Sequence, residues 1–131
     1  MSDTRTELSV RFCETDLMGI VHHANYLRYF EMGRVAWLKE RGFSYDTWLA
    51  AGLHLPVVDA SVRYRKAARF DDTLVVETRV SKATRVTLRF AYRVTRGDEL
   101  IAEGETLLAC VDALMRPKRL PAEITRALAT G

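Results

Sequence analysis

A single long hydrophobic helix pattern, placed ahead of a run of alternating strand patterns, constrains this fold more than any other feature. Residues 24–41 contain no proline and one glycine, and large side chains recur there at helical spacing. These are Leu27, Phe30, Arg34, Trp37 and Leu38. Other apolar side chains occupy the remaining sides, so the helix is predicted to be mostly buried rather than lying on a surface.

Strand patterns precede and follow this helix. Apolar and polar residues alternate over residues 5–13 before it, and over residues 57–65, 74–81, 86–95 and 100–114 after it. Short helices are predicted over residues 45–51 and 121–128, and a hairpin turn at Arg96-Gly97-Asp98. This order predicts an α+β fold in which an antiparallel sheet of about five strands wraps around one long central helix. The first strand is expected to be inserted into that sheet, whose edge would be available to a second copy.

Composition limits the chain to an ordinary globular protein. With 48% hydrophobic and 28% charged residues, residues 1–131 are expected to form a single domain around one core. The net charge of +3 is too small to indicate a nucleic-acid partner. The longest apolar stretch, Leu107 to Val111, is too short for a membrane span. Cys13 and Cys110 lack the spacing of a redox pair or a zinc site, which favours a reduced, cytoplasmic setting.

The segment before the long helix contains the residues best suited to chemistry. Asp16 lies in a loop with Gly19, and this loop leads to His23 at the start of the helix. The first N–H groups of a helix have no intrahelical partner, and the helix dipole adds partial positive charge there. A carboxylate facing that end could attack a carbonyl or activate water, while the free amides stabilise the oxyanion. An aspartate here is also a common turn residue, so the residues alone leave both interpretations open.

The same segment resembles the signature of a known enzyme family. The motif is Thr15-Asp16-x-x-Gly19-Ile20-Val21-x-His23-x-Asn25-Tyr26, followed by Phe30-Glu31 and Arg34. It is similar to the hotdog-fold acyl-CoA thioesterases of the 4-hydroxybenzoyl-CoA thioesterase type, which include the acyl-CoA thioesterases associated with the Tol-Pal system. Further matches at Tyr64, residues 70–78 and residues 119–121 extend the resemblance over nearly the whole chain.

The resemblance implies a hotdog fold and roles for the matching residues. Asp16 matches the catalytic aspartate, which acts as nucleophile or general base, and the backbone N–H of His23 matches the group that polarises the thioester carbonyl. Substrate-binding positions are implied at Gly19, Val21, Asn25 and Tyr26. The expected activity is hydrolysis of acyl-CoA thioesters to CoA and a carboxylic acid. A homodimer or homotetramer with its pocket at a dimer interface is also implied. Acyl carrier protein is a further candidate partner.

Basic residues outside this motif have two interpretations each. Arg116, Lys118 and Arg119 follow the last strand and are predicted to bind coenzyme A phosphates, with an ordinary charged loop as the alternative. Five arginines in the strand region resemble a nucleic-acid stripe, but no aromatic side chains interleave with them, which favours a solvated sheet face. These five are Arg79, Arg85, Arg89, Arg93 and Arg96.

Histidines and cysteines are predicted to have no catalytic or metal role as side chains. His22 and His23 are adjacent and are expected to project in different directions, and His54 completes no usual ligand spacing, so no metal or cofactor is predicted. Cys13 and Cys110 both fall on strand patterns and are expected to be core residues.

Two other functions stay open beside acyl-CoA hydrolysis. The first is an aromatic acyl-CoA thioesterase acting on 4-hydroxybenzoyl-CoA or 1,4-dihydroxy-2-naphthoyl-CoA. The second is a non-catalytic module that binds acyl-CoA or acyl carrier protein. Asp16 argues against the module, because binding alone does not require a carboxylate near a thioester.

Overall fold

The computed structural model describes residues 3–130 as five strands and three helices. They are β1 (Thr4–Ser9), α1 (Asn25–Glu40), α2 (Tyr45–Ala50), β2 (Val57–Tyr64), β3 (Thr73–Ala83), β4 (Thr87–Arg96), β5 (Glu99–Ala109) and α3 (Ala122–Thr130). One 3-10 turn, Phe12–Glu14, lies between β1 and α1. The predicted order of one strand, a long helix, a short helix and four strands is confirmed.

The strands form one antiparallel sheet in the order β1-β3-β4-β5-β2. The α+β prediction is therefore confirmed, as is the hairpin between β4 and β5. β1 pairs with β3 alone, so it lies at one edge and is not inserted between other strands. β2 forms the opposite edge, where Tyr64 pairs with Ala102 at one end and Val57 with Leu108 at the other.

The first strand is shorter than its alternation predicts. β1 ends at Ser9, and the Glu14 carboxylate then accepts the backbone N–H of Arg11 at 2.8 Å, which turns the chain into the 3-10 segment. Cys13 lies in that segment and is exposed, so the prediction that it is a strand and core residue is wrong. The alternating pattern continues past the point where a side-chain hydrogen bond ends the strand.

The last strand also ends early, at Ala109 rather than near residue 114. Asp112 accepts the backbone N–H groups of Leu114 and Arg116 at 2.9 and 3.0 Å, and these bonds fold the chain back on itself. Cys110, directly after β5, is buried as predicted.

Aromatic side chains of α1 pack on the middle of β4. Phe30 stacks on Tyr92 with ring centroids 4.3 Å apart, and Trp37 meets Phe90 edge to face at 5.5 Å. All four rings are almost completely buried. These contacts fix α1 across the sheet and so fix where its first residues lie.

α1 is buried on one side only, which corrects the prediction that it is mostly buried. Leu27 and Met32 are 43% and 44% exposed in this chain. Apolar residues around the axis do not guarantee burial here, because the sheet covers a single side of the helix.

Within the described part of the chain, no helix combines the length and apolar character needed to cross a membrane.

Gly33 allows α1 to approach β3 closely. A Cβ there would overlap the Oγ1 atom of Thr78 and lie 3.0 Å from Val76 Cγ1, and both residues are fully buried. In an ordinary helix interior, glycine to alanine is stabilising by about 1 kcal/mol. We expect Gly33→Ala instead to lower the free energy of unfolding in urea by about 1–3 kcal/mol, because the core is overpacked.

The matched control for this prediction is Ala36→Gly in the same helix. It adds no atoms to the core and is expected to cost only the propensity difference of about 1 kcal/mol. A Gly33→Ala protein more stable than the original would contradict the close approach of α1 to β3.

The sheet face opposite α1 has charges of alternating sign. One register row across the five strands contains Arg5, Glu77, Arg93, Glu103 and Arg63. Arg5 and Glu77 form an ion pair of 3.2 Å. Arginines interleaved with carboxylates favour a solvated face over a nucleic-acid stripe.

Candidate active site

Asp16 begins a tight turn between the 3-10 segment and α1. Its carbonyl accepts the N–H of Gly19 at 2.9 Å, and its Oδ1 accepts the N–H of Met18 at 2.8 Å. Gly19 has φ of +76°, which favours glycine. The turn-residue interpretation is thus confirmed, yet it uses only one carboxylate oxygen. Asp16 Oδ2 makes no hydrogen bond within residues 3–130 and stays available.

Among the amide groups of residues 22–25, which lead into α1, all but one donate a hydrogen bond within the described chain. The N–H of His22 donates to the Glu14 carbonyl at 2.8 Å. The N–H of Ala24 donates to His22 Nδ1 at 3.2 Å, and that of Asn25 to the His22 carbonyl at 2.9 Å. The N–H of His23 has no acceptor anywhere in residues 3–130. A free amide at the positive end of a helix is suited to an anionic or carbonyl oxygen.

Asp16 and His23 line one open groove of ≈ 310 Å³. Val21 and Tyr26 form part of its apolar wall. The other lining residues are Met18, Ile20, Tyr64, Arg65, Lys66 and Ala67. The structure therefore places a carboxylate with a free oxygen and an unpaired amide on the same groove.

Gly19 and Asn25 lie beside the groove and are not among the residues that line it. Gly19 shapes the turn that begins at Asp16. Asn25 Nδ2 donates to the Glu14 carbonyl at 2.9 Å, which ties the start of α1 to the 3-10 segment. Their predicted contact with substrate stays a prediction.

Tyr26 is suited to packing and not to proton abstraction. It is buried, and its ring contacts Tyr64 edge-on with centroids 5.5 Å apart. Burial raises the pKa of Tyr26 to about 12, and the neighbouring Tyr64 adds to this rise. The phenol therefore stays neutral at working pH and presents an aromatic wall to the groove.

The wall after β2 is anchored by an ion pair. Arg96 donates to the Ala67 carbonyl at 3.1 Å and to Asp72 Oδ2 at 2.7 Å. Asp72 also accepts the backbone N–H of Arg69 at 2.8 Å. The hydrogen bonds from Arg69 and then Arg96 hold the pKa of Asp72 below its usual value. This arrangement fixes the groove side opposite the Asp16 turn.

The predicted phosphate-binding residues lie at the other end of the sheet. The backbone N–H of Lys118 donates to the Cys110 carbonyl, beyond the end of β5, whereas Tyr64 pairs with Ala102 near its start. The intervening strand spans about 25 Å at roughly 3.4 Å per residue. Arg116, Lys118 and Arg119 therefore do not reach the groove of their own chain, and Arg116 is paired with Asp112 at 3.0 Å.

The adjacent histidines form a stacked pair. The rings of His22 and His23 lie 4.2 Å apart, so the expectation that they project in different directions is wrong. Among the residues that the structure describes, no three His, Cys, Asp or Glu side chains cluster as ligands for a metal would.

Comparison with known families shows which family this chain belongs to. The model of the "Thioesterase-like superfamily" matches residues 10–128, which include the Asp16 turn, α1 and the whole groove. The chain belongs to the thioesterase-like superfamily. The hotdog fold and the family resemblance are thereby confirmed.

Named relatives of this thioesterase-like chain agree with that assignment. The chain is 36% identical over 113 residues to the "Putative acyl-CoA thioesterase YneP" of Bacillus subtilis, covering 86% of this chain and 82% of the relative. It is 33% identical over 122 residues to the "Acyl-CoA thioester hydrolase YbgC" of Escherichia coli O157:H7, covering 92% and 91%. The solved DHNA-CoA thioesterase of Staphylococcus aureus superposes with a TM-score of 0.92 at 30% identity, covering 98% and 93%. This chain is a thioester hydrolase.

Sequence reasoning missed two residues at or beside this groove, Tyr64 and Glu14. Tyr64 donates its hydroxyl hydrogen to the His23 carbonyl at 3.1 Å and lines the groove. Glu14 is buried and accepts the Tyr29 hydroxyl at 3.0 Å. The family pattern includes Tyr64, which is the one signal that pointed to it. Nothing in a single sequence distinguishes Glu14 from the surface glutamates.

Proposed function

We propose that this chain hydrolyses acyl-CoA thioesters to free CoA and a carboxylic acid in the groove between Asp16 and His23. The observation that carries the proposal is the unpaired N–H of His23, on the same groove as a carboxylate with a free oxygen. The neighbouring amides of His22, Ala24 and Asn25 are all occupied. Among the amides of residues 22–25, that of His23 is therefore the one left to donate to a developing oxyanion.

The proposed reaction uses these two groups on opposite sides of the carbonyl. The thioester oxygen accepts the hydrogen bond of the His23 N–H, which stabilises the charge that develops on it. The Asp16 carboxylate either attacks the carbonyl carbon or removes a proton from an attacking water. The carbon–sulfur bond breaks, CoA leaves as a thiolate that takes up a proton, and water supplies the second oxygen of the acid. Val21 and Tyr26 contact the acyl group, while Gly19 and Asn25 hold the geometry.

A second copy is proposed to complete the groove. β2 is an edge strand whose residues are exposed apart from Val62, which is partly buried, and Val57 and Val58 are 44% and 56% exposed. An exposed edge with apolar side chains is a template for pairing with another strand. Antiparallel pairing of two β2 strands gives a homodimer with one continuous sheet, and two such dimers give a homotetramer.

The unpaired thiols of Cys13 and Cys110 support a cytoplasmic location.

This pairing accounts for the distant basic residues. Two antiparallel β2 strands bring the Val57 end of one copy beside the Tyr64 end of the other. Arg116, Lys118 and Arg119 of the second copy then approach the groove of the first. Their charges suit the 3′-phosphate and pyrophosphate of coenzyme A.

A panel of thioesters tests the proposed function. Release of free CoA is measured with aliphatic acyl-CoAs of graded length, aryl-CoAs and one acyl-carrier-protein thioester. Because ≈ 310 Å³ is at the small end for a ligand site, we expect the highest kcat/KM for short aliphatic acyl-CoAs. The control is the same panel with Asp16→Asn protein.

The panel separates the candidate functions. A preference for aryl-CoAs would assign the aromatic alternative, towards which the structural similarity to a DHNA-CoA thioesterase points. Faster turnover of the carrier-protein thioester would identify the carrier as the acyl donor. Binding without CoA release across the whole panel would refute hydrolysis.

A further inference from the structure

The carboxylate of Glu14 is buried and held by several donors. It is 6% exposed and lies two residues before Asp16. Oε1 accepts the backbone N–H of Arg11 at 2.8 Å and the hydroxyl of Tyr29 at 3.0 Å. Oε2 accepts the Arg11 guanidinium at 3.2 and 3.3 Å. Charge-assisted bonds of this kind hold a buried carboxylate in one orientation.

The backbone carbonyl of the same residue holds the start of α1. It accepts the N–H of His22 at 2.8 Å and Asn25 Nδ2 at 2.9 Å. The bond to His22 occupies the amide immediately before the free amide of His23. Glu14 is therefore bound on one side to the segment that leads into Asp16 and on the other to the peptide next to the oxyanion donor.

We propose that Glu14 is a positioning residue that sets the separation of Asp16 and the His23 N–H across the groove, with Tyr29 as its buried anchor. This inference rests on the proposed function. Glu14 does not line the groove, so it acts through the two groups and not on substrate. Catalysis by a fixed carboxylate and a fixed amide is sensitive to shifts of about 1 Å.

Tyr29 is the more important of the two anchors. The Arg11 side chain is 68% exposed, so solvent screens its attraction to Glu14. Tyr29 is 1% exposed and donates from the middle of the core. Burial, and then the bond to Glu14 and its charge, raise the pKa of Tyr29. Its hydroxyl therefore keeps its proton, and keeps donating, across the working pH range.

The chain offers a matched pair of variants to test this role. Tyr29 and Tyr92 are both 1% exposed, and both lose a buried hydroxyl when changed to phenylalanine. Tyr92 hydrogen-bonds Arg34 and Thr106, away from the groove. We expect Tyr29→Phe to lower kcat about tenfold with KM unchanged, and Tyr92→Phe to leave kcat within about twofold. Both are expected to lower Tm to a similar extent.

Glu14→Gln extends the test by removing the charge and keeping the shape. Its kcat is expected to fall at least about tenfold with KM unchanged, and the double variant with Tyr29→Phe to be no slower than Glu14→Gln alone. If Glu14→Gln does not fold, the two phenylalanine variants decide the question.

Each alternative result overturns the proposal. Equal losses of kcat in the two phenylalanine variants would make the role purely structural. A change confined to KM would place Glu14 in substrate binding, and unchanged kinetics would remove it from the site. Asp16→Asn is measured in parallel: if it stays active, the role of Asp16 in the proposed function fails, whereas an inactive Asp16→Asn beside an unaffected Tyr29→Phe refutes the positioning role alone.

Discussion

Replacing Asp16 by asparagine is expected to lower kcat for acyl-CoA hydrolysis by about a thousandfold, while KM changes little. The amide oxygen of asparagine can still accept the N–H of Met18, so the turn that Asp16 begins is expected to persist. What the variant loses is the charge, and with it either the nucleophile or the base. Steady-state release of CoA from a short acyl-CoA measures the effect.

Asp98→Asn is the matched control for this variant. Asp98 is exposed in the two-residue turn between β4 and β5, where asparagine is equally suited to the turn. Its kcat should equal that of the original protein. If Asp16→Asn retained activity close to that of Asp98→Asn, the free carboxylate oxygen would have no part in the reaction.

If the proposed homodimer forms through β2, replacing Val58 by lysine at this edge of the sheet is expected to give a folded monomer. Lysine at a strand edge opposes pairing, because two copies would bring like charges together on the same seam. The groove would then lose the proposed contribution of the second copy and of its basic residues. We expect kcat/KM to fall about a hundredfold. Analytical ultracentrifugation gives the mass, and circular dichroism shows that the chain remains folded.

Leu49→Lys is the control for the edge variant. Leu49 lies on α2 and is 54% exposed, against 56% for Val58, so the two substitutions place a lysine at equally accessible positions. Leu49→Lys should remain dimeric and active. A Val58→Lys protein that stays dimeric with full activity would remove β2 from the interface, and an active monomer would remove the second copy from the site.

The helix and strands were predictable because their patterns are long and local. α1 and the four strands after it follow hydrophobic periodicity over many residues, and packing of Phe30 and Trp37 on β4 reinforces that signal. The ends of β1 and β5 were not predictable. Each is set by one acidic side chain, Glu14 or Asp112, that accepts backbone N–H groups and turns the chain while the alternating pattern continues.

The site was predictable only in part, because its motif is local whereas some of its hydrogen bonds and its strand contacts are not. The motif placed Asp16 beside a helix start. That the His23 amide is free while those of His22, Ala24 and Asn25 are occupied depends on the hydrogen bonds of these neighbours. Tyr64 reaches the groove from β2 and lies 41 residues after His23 in the chain. Such a contact depends on the pairing of β2 with β5, two strands that are far apart in the sequence, so no local pattern predicts it. The distance between Lys118 and the groove follows from the same pairing.

A single-turnover measurement separates hydrolysis that depends on Asp16 from binding of the thioester alone. Protein in excess is mixed with a labelled short-chain acyl-CoA, and bound thioester and released CoA are followed together for the original chain and for Asp16→Asn. We expect the original chain to release CoA and acid stoichiometrically, and Asp16→Asn to bind the thioester with similar affinity and hold it intact. Binding of intact thioester by both proteins, without CoA release by either, would contradict the account.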